Sequence, residues 1–204
     1  MIVDTLRKAQ KLIASGKLER AESLCTKLIK QDPHQLDALH LLGIIALNKQ
    51  QFDKAIQSFS LALKNRPDHA INHYNLGLAY QGCGKNVLAV QHFKKATELQ
   101  PNMAAAYKDL CTALKDTNDF EQAVSAGRKA ISLTPQDPAA NYNLAVSLHE
   151  WRDFEESFKY YQIANKQAPD NPTILFKLGQ VYQGRGEIEN ARTCFRRVIE
   201  LYPK

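Results

Sequence analysis

The prolines of this sequence recur with a fixed spacing of 34 residues. Six of the eight form one series in which each follows the last by 34 positions, and the other two, Pro138 and Pro172, are also 34 residues apart. A constant period of this length is typical of an array in which each repeat packs only against its neighbours. The sequence therefore predicts a single domain, 1–204, of six repeats with the boundaries 2–35, 36–69, 70–103, 104–137, 138–171 and 172–204. The main series is Pro33, Pro67, Pro101, Pro135, Pro169 and Pro203.

Each repeat carries two amphipathic segments. When the recurring proline is counted as position 32, apolar residues fall at positions 4, 7, 8 and 11, which is the spacing of one helix face. Positions 20, 24 and 27 form a second face, and only small residues stand at position 8, so the two helices are predicted to cross in close contact. Gly or Asn at position 15 in four of six repeats predicts a left-handed residue after the first helix. The residues at position 8 are Ala9, Gly43, Gly77, Cys111, Ala145 and Gly179.

This pattern resembles the tetratricopeptide repeat along the whole chain. The resemblance implies an all-α fold, a right-handed superhelical α-solenoid of six helix-turn-helix units, with a concave face lined mainly by the first helix of each repeat. One departure is Gly127, which stands where the family has an aromatic residue, and it predicts looser packing in repeat four. Repeat three carries the fullest set of family residues: Leu76, Gly77, Tyr80, Ala89, Phe93, Ala96 and Pro101.

Composition and charge argue against several classes of protein. No apolar run approaches the roughly 18 residues of a membrane span, and the N-terminal segment becomes charged too early for a signal peptide. We therefore expect a cytoplasmic protein without a membrane partner. The net charge of +6 is concentrated at the two ends, because residues 36–171 hold 14 Lys or Arg and 14 Asp or Glu. Nucleic-acid binding favours a continuous basic stripe, so no nucleic-acid partner is expected.

The cysteines and histidines are better explained by the repeat than by chemistry. The four cysteines lie in four different repeats without a Cys-x-x-Cys pair, so neither a disulfide framework nor a zinc site is predicted. We expect Cys25, Cys111 and Cys194 to be buried and Cys83 to be accessible in a turn. The only histidines spaced by four residues are His69 and its neighbour at 73, and they straddle a repeat boundary.

No catalytic set stands out. The turn at 81–86, Gln-Gly-Cys-Gly-Lys-Asn, only faintly resembles a phosphate-binding loop, because it lacks the first glycine and the Ser or Thr that would hold magnesium. No Ser-His-Asp or Cys-His arrangement is indicated. The sequence therefore predicts no catalytic residue, no metal and no cofactor, in a protein that is not itself an enzyme.

The family resemblance places positions 5 and 6 of each repeat in the concave groove. Repeats three to six then offer aromatic, amide and charged side chains there, a mixture that a core does not need. Amides can bond the backbone of an extended peptide, aromatic rings add anchor area, and lysines attract carboxylates. The first predicted function is a protein–protein interaction scaffold that binds an extended peptide or protein segment in this groove. The predicted contact residues are Tyr74, Asn75, Lys108, Asp109, Tyr142, Asn143, Phe176 and Lys177.

One family subtype, the carboxylate clamp of chaperone-binding members, is only partly matched. Lys108 and Asn143 agree with the clamp, and Lys177 keeps the charge of an arginine. Thr112 and Thr173 replace the two remaining clamp residues, which weakens the case for binding a C-terminal carboxylate.

A second subtype resembles the asparagine ladder of protein O-GlcNAc transferases. Asn75 and Asn143 fit the ladder, whereas Asp109 and Lys177 interrupt it. This partial similarity implies an alternative function, the N-terminal substrate-recruiting region of a larger enzyme such as a glycosyltransferase. A further alternative is a structural module that forms a homodimer through an uncovered apolar face of the last helix, with the residues Phe195, Val198, Ile199 and Leu201.

Overall fold

The computed structural model describes residues 2–202 and contains, over that range, twelve α-helices and no β-strand. Each predicted repeat contains one pair of helices, so the predicted all-α fold of helix–turn–helix units is confirmed. The stop predicted at Pro203 lies outside the described residues. The helices are α1 Ile2–Ala14, α2 Leu18–Gln31, α3 Leu36–Asn48, α4 Phe52–Asn65, α5 Ala70–Gly82, α6 Asn86–Leu99, α7 Ala104–Asp116, α8 Phe120–Leu133, α9 Pro138–Glu150, α10 Phe154–Gln167, α11 Pro172–Gly184 and α12 Ile188–Leu201.

The helices divide between two compact units, Met1–Met103 with α1–α6 and Ala104–Lys204 with α7–α12. In the first unit each helix packs on the next, and the first helices of successive repeats, α1, α3 and α5, also contact one another. In the second unit the same holds for successive helices and for the first helices α7 and α9. The interpretation of the chain as one domain, 1–204, stays a prediction.

The turn inside every repeat uses a residue in the left-handed region. This confirms the prediction for the four Gly or Asn residues and extends it to Gln50 and Arg152, which the sequence did not mark. A left-handed residue reverses the chain after the first helix at little cost when it is Gly. The φ values are 70° at Gly16, 56° at Gln50, 71° at Gly84, 62° at Asn118, 68° at Arg152 and 77° at Gly186.

In repeats two, three and six, close contact between the paired helices depends on glycine at position 8. In repeat three, a Cβ atom on Gly77 would lie 2.6 Å from the ring of Phe93, which is fully buried. Gly43 and Gly179 meet the rings of repeats two and six in the same way, at 2.5 and 2.7 Å. In these three repeats, a larger residue at position 8 would therefore displace the phenylalanine ring at position 24.

Repeat four has the opposite arrangement, with glycine at position 24 and a larger residue at position 8. Cys111 stands at position 8, and Gly127 replaces the ring at position 24. A Cβ atom on Gly127 would lie 3.1 Å from both Cys111 Sγ and Leu144 Cδ1, and both of these side chains are fully buried. The looser packing predicted for repeat four is therefore not seen, because Cys111 and Leu144 fill the space that the missing ring would take.

Candidate functional site

The eight predicted contact residues all lie on first helices: two on α5 in the first compact unit and six on α7, α9 and α11 in the second. Asn75 on α5 is only 9% exposed as a whole residue, but its amide atoms reach the surface. Tyr74 beside it is partly buried, and its ring lies 5.9 Å from that of Phe93, centroid to centroid. The first unit therefore presents an accessible amide next to a ring that packs partly against the core.

The charge of Lys108 on α7 is bound within the protein. Its Nζ lies 3.0 Å from Asp137 Oδ2, and about a quarter of each side chain is exposed. Asp137 also accepts a 2.9 Å hydrogen bond from the backbone N–H of Ala139 and so caps α9. Burial alone would raise the pKa of Asp137, but the hydrogen bonds from Lys108 and Ala139 outweigh it and lower that pKa. Asp109, the next residue on α7, is half-buried and has an interaction of its own.

Asn143 on α9 bonds the neighbouring repeat. Its Nδ2 donates to Thr112 Oγ1 at 3.0 Å, so part of its amide is engaged and the carbonyl oxygen remains. Thr112 in turn donates to the backbone carbonyl of Lys108 at 3.4 Å. Three of the five residues compared with a carboxylate clamp are thus tied to protein partners. On α11, by contrast, Lys177 is exposed and forms no ion pair within the described chain.

The aromatic residues at position 5 pack on the aromatic residues at position 24 of the same repeat. Ring centroids lie 5.8–6.0 Å apart in four repeats. Where position 24 is Cys25 or Gly127, position 5 is Leu6 or Lys108 instead. Comparing the repeats with one another would have revealed this coupling, which the sequence analysis missed. The four pairs are His40–Phe59, Tyr74–Phe93, Tyr142–Tyr161 and Phe176–Phe195.

A cavity of about 470 Å³ opens between α9, α11 and the start of α10. The sequence pattern gave no sign of this cavity, although Lys177 lies on its wall. Its floor is apolar, and its rim carries acidic and basic residues. The lining residues include Val146, His149, Glu150, Phe154, Glu155, Tyr161, Lys177, Gln180, Val181, Gly184 and Arg185. We call it the α9–α11 cavity.

Histidines of the first compact unit form hydrogen bonds rather than a metal site. His69 Nδ1 accepts a 3.1 Å bond from the backbone N–H of Asn72 and caps α5. His73 Nε2 donates to the Pro67 carbonyl at 2.8 Å, and its Nδ1 lies 3.0 Å from Nδ1 of His92. Burial, with the neighbouring His73 second, lowers the pKa of His92. No group of three or more His, Cys, Asp or Glu within residues 2–202 is arranged to hold a metal ion.

The cysteines lie where the sequence predicted. Cys25, Cys111 and Cys194 are buried, and Cys83 is partly exposed after α5. Burial raises the pKa of Cys25 and of Cys111 to about 11, which suppresses their thiolate forms.

Among the helices described, none is long and apolar enough to cross a membrane.

Comparison with known proteins gives family matches and structural neighbours. Models described as Tetratricopeptide repeat match residues 12–76 and 70–103, and one described as YpiA-like, C-terminal tetratricopeptide repeats matches residues 138–204. No curated protein matches the chain.

Three solved structures illustrate the similarity of fold. PilW, a widely conserved type IV pilus biogenesis factor, is 18% identical with a TM-score of 0.88, over 99% of this chain and 94% of PilW. PilF of Pseudomonas aeruginosa is 18% identical with a TM-score of 0.85, over 99% of this chain and 92% of PilF. YrrB, described as a TPR protein with an unusual peptide-binding site, is 18% identical with a TM-score of 0.72, over 88% of this chain and 93% of YrrB.

Proposed function

Since this chain belongs to the tetratricopeptide repeat family, we propose that it is a non-catalytic scaffold that binds an extended peptide or protein segment along its first helices. Proteins of this fold generally mediate protein–protein interaction. Stacked repeats serve that role because they present an extended surface assembled from many short elements. The proposal concerns a protein partner and includes no nucleic acid, membrane or cofactor.

The observation that carries the proposal is the amide of Asn75, which is held by packing and accessible at its tip. Asn75 is only 9% exposed as a whole residue, so its side chain has little freedom, while its amide atoms reach the surface. A side-chain amide of this kind matches the N–H and C=O groups of an extended backbone without reading the sequence of the segment.

The charged residues refine the contact set. Lys177 is exposed and outside the ion pairs of the described chain, whereas Lys108 is paired with Asp137. We therefore assign Lys177 the main attraction for a carboxylate of the segment, and Lys108 a minor one. The full contact set that we propose is Tyr74, Asn75, Lys108, Asp109, Tyr142, Asn143, Phe176 and Lys177.

The test is binding of a partner segment with and without the two amides. A partner is captured from native lysate, its bound segment is delimited by limited proteolysis, and its affinity is measured by calorimetry. Changing both Asn75 and Asn143 to Ala should weaken binding by about tenfold or more, since each lost hydrogen bond costs about 1 kcal/mol. The control is Asn102→Ala in an exposed linker, which should leave the affinity unchanged. Unchanged affinity in the double variant, with its helix content preserved, would reject the contact set.

A second candidate function, self-association through α12, is favoured by a separate observation. Ile188, Ile199 and Tyr202 are 53%, 68% and 68% exposed, and a groove of about 680 Å³ lies along the same helix. Apolar side chains exposed together in this way mark an interaction surface. Sedimentation that shows only monomer at high protein concentration would remove this candidate. The glycosyltransferase alternative depends on Asn75 and Asn143 alone and stays a prediction.

A further inference from the structure

We propose that the α9–α11 cavity receives an aromatic side chain of the bound segment. This inference rests on the proposed function, because it assigns a ligand residue to one place on the first-helix surface. It goes further in naming the chemistry of that residue, a neutral aromatic ring, and the side chains that surround it.

An internal comparison between repeats supports an aromatic occupant. Phe52, at position 17 of repeat two, is followed by Gly82 at position 13 of repeat three. Repeats five and six have the same pair of residues, Phe154 and Gly184, at these positions. The ring of Phe52 fills the space beside Gly82, where a Cβ atom would lie 2.4 Å from ring carbon Cε1. At Gly184 the corresponding Cβ would meet no heavy atom within 4 Å. The place that a phenyl ring fills in one pair of repeats is thus open in the other.

The ring of Phe154 is directed elsewhere. It is 47% exposed and packs edge to face against His149, with 5.1 Å between centroids. His149 occupies the position that Leu47 has in repeat two, and Gln180 the position that Leu78 has in repeat three. The substitution of His149 for Leu47 provides the ring on which Phe154 packs. The cavity therefore remains open, with Phe154 forming part of its rim.

The walls are suited to an aromatic ring. Val146 and Val181 line the cavity together with the rings of Tyr161, His149 and Phe154. Its volume of about 470 Å³ exceeds what one ring needs and falls in the range of ordinary ligand pockets. Aromatic rings prefer the edge-to-face and offset contacts that three surrounding rings provide, and these add to the energy of burial.

Polar side chains at the cavity mouth can hold the backbone on either side of the buried ring. The charge of Arg185 is already paired, with Glu155 at 2.7 Å and with Glu187 at 3.2 Å. Lys177 on α11 and Glu150 on α9 form no ion pair in the described part of the chain. Together with the exposed amide of Gln180, they can bond the N–H and C=O groups on either side of the buried ring.

The probe that tests the cavity directly is N-acetyl-phenylalanine amide, titrated into the full chain. Amide resonances of Gly184 and Val181 in ¹⁵N-correlated spectra should shift and saturate in the millimolar range. N-acetyl-leucine amide should bind at least about threefold more weakly. The only tryptophan, Trp151, is 45% exposed close to Phe154, so its fluorescence gives an independent readout.

Gly184 offers matched variants. Gly184→Leu places a side chain in open space within the cavity and should weaken probe binding by about tenfold or more. Gly184→Ala leaves most of the volume and should keep the affinity within about twofold. Phe52→Ala should create a second probe site beside Gly82, because it vacates the equivalent space. Circular dichroism checks that each variant keeps the helix content of the parent.

Four results would overturn the inference. They are an absence of saturable shifts, equal binding of the leucine probe, unchanged binding in Gly184→Leu, or binding that appears only in Phe154→Ala. The last result would show that Phe154 fills the cavity in solution. Failure of the proposed function is distinguishable. If a captured segment binds the Gly184→Leu variant as tightly as the parent, the aromatic-cavity inference is wrong and the proposed function stands. If the probe binds but no protein segment does, the proposed function is wrong and the cavity inference stands.

Discussion

The ring of Phe93 occupies the space in which a Cβ atom on Gly77 would lie, since that atom would be 2.6 Å from ring carbon Cε1. Phe93 is fully buried, so its ring is enclosed by other side chains. We expect Gly77→Ala to lower the free energy of unfolding by about 1–2 kcal/mol, because overpacking outweighs the gain in helix propensity of about 1 kcal/mol. Urea unfolding followed by circular dichroism measures the change.

The control for this prediction is Gly184→Ala. Both glycines lie on first helices, but a Cβ atom added at Gly184 would touch nothing within 4 Å. This variant should be neutral or slightly more stable. Equal effects of the two substitutions would show that the Phe93 contact does not determine the cost.

The turn residue Arg152 is a site for stabilisation. Its φ of 68° lies in the left-handed region, which costs a residue with a Cβ atom roughly 1 kcal/mol and costs glycine nothing. Arg152 is exposed and forms no ion pair within the described chain, so little else is lost. Arg152→Gly should raise the free energy of unfolding by about 0.5–1 kcal/mol. Gly84→Ala, at the same position of repeat three, should lower it by a similar amount, and a stability loss in Arg152→Gly would contradict the argument.

The helices and turns were predictable because local spacing determines them. The 34-residue period predicts the helix pairs, and Gly or Asn at position 15 predicts the turn in four repeats, whereas the left-handed φ of 56° at Gln50 was not marked by its residue type. The candidate site was less predictable. The ion pair of Lys108 joins residues 29 apart and the hydrogen bond of Asn143 joins residues 31 apart. Such pairs depend on which rotamers meet between repeats, and helical periodicity does not specify that.

The α9–α11 cavity could not be derived from composition for the same reason. Phe52 and Phe154 stand at the same position of the repeat, as do Gly82 and Gly184. One phenylalanine fills the space beside its glycine and the other packs on His149. The difference is a choice of side-chain direction, which depends on neighbours from a different helix.

His92 should make stability depend on pH. Burial, followed by the nearby His73, lowers the pKa of His92 below its ordinary value of 6.5. On acidification, His92 therefore takes up a proton in the unfolded chain before it does so in the folded chain. The stability that neutral His92 contributes is present above about pH 6.5 and is lost as the pH falls from about 6.5 towards the lowered pKa. We expect His92→Phe to reduce the loss of thermal midpoint between about pH 7.5 and 5.5.

The range between about pH 7.5 and 5.5 distinguishes the effect of His92 on stability from that of carboxyl groups, which titrate mainly below about pH 5. The ring of His92 is stacked between His73 and Tyr80, with centroid distances of 5.3 and 5.4 Å, and Phe can occupy the same place. His34→Gln at an exposed site serves as the control. An unchanged pH profile in His92→Phe would contradict the prediction.

Thiol labelling should find one fast cysteine. Cys83 is partly exposed, whereas the other three cysteines are buried, and burial raises the pKa of Cys25 and Cys111 to about 11. We expect about one thiol per folded chain to react rapidly with a disulfide reagent at neutral pH, and all four after unfolding. Cys83→Ser should remove the fast phase. A fast phase that persists in this variant would show that a buried cysteine is accessible.

Two asparagines on α9 should separate stability from binding. Asn141 is 1% exposed, and its Nδ2 lies within hydrogen-bond distance of the carbonyls of Pro135 and Asp137 and of Gln167 Oε1, at 3.2, 3.0 and 3.0 Å. Asn141→Ala removes a buried donor that joins α9 to the preceding linker and to Gln167 on α10, and it should cost about 1–3 kcal/mol of unfolding free energy.

Asn143 makes one hydrogen bond, to Thr112, in a partly buried setting, so Asn143→Ala should cost about 1 kcal/mol or less. If Asn143 contacts the bound segment and Asn141 holds the linker between repeats, the variant with the larger loss of stability is not the variant with the larger loss of affinity. Asn141→Ala should be the less stable protein by urea unfolding, and Asn143→Ala the weaker binder by calorimetry at a temperature where both are folded. Weaker binding by Asn141→Ala than by Asn143→Ala would show that the ligand contacts the linker side of α9, and it would move the contact surface away from position 6 of the repeat.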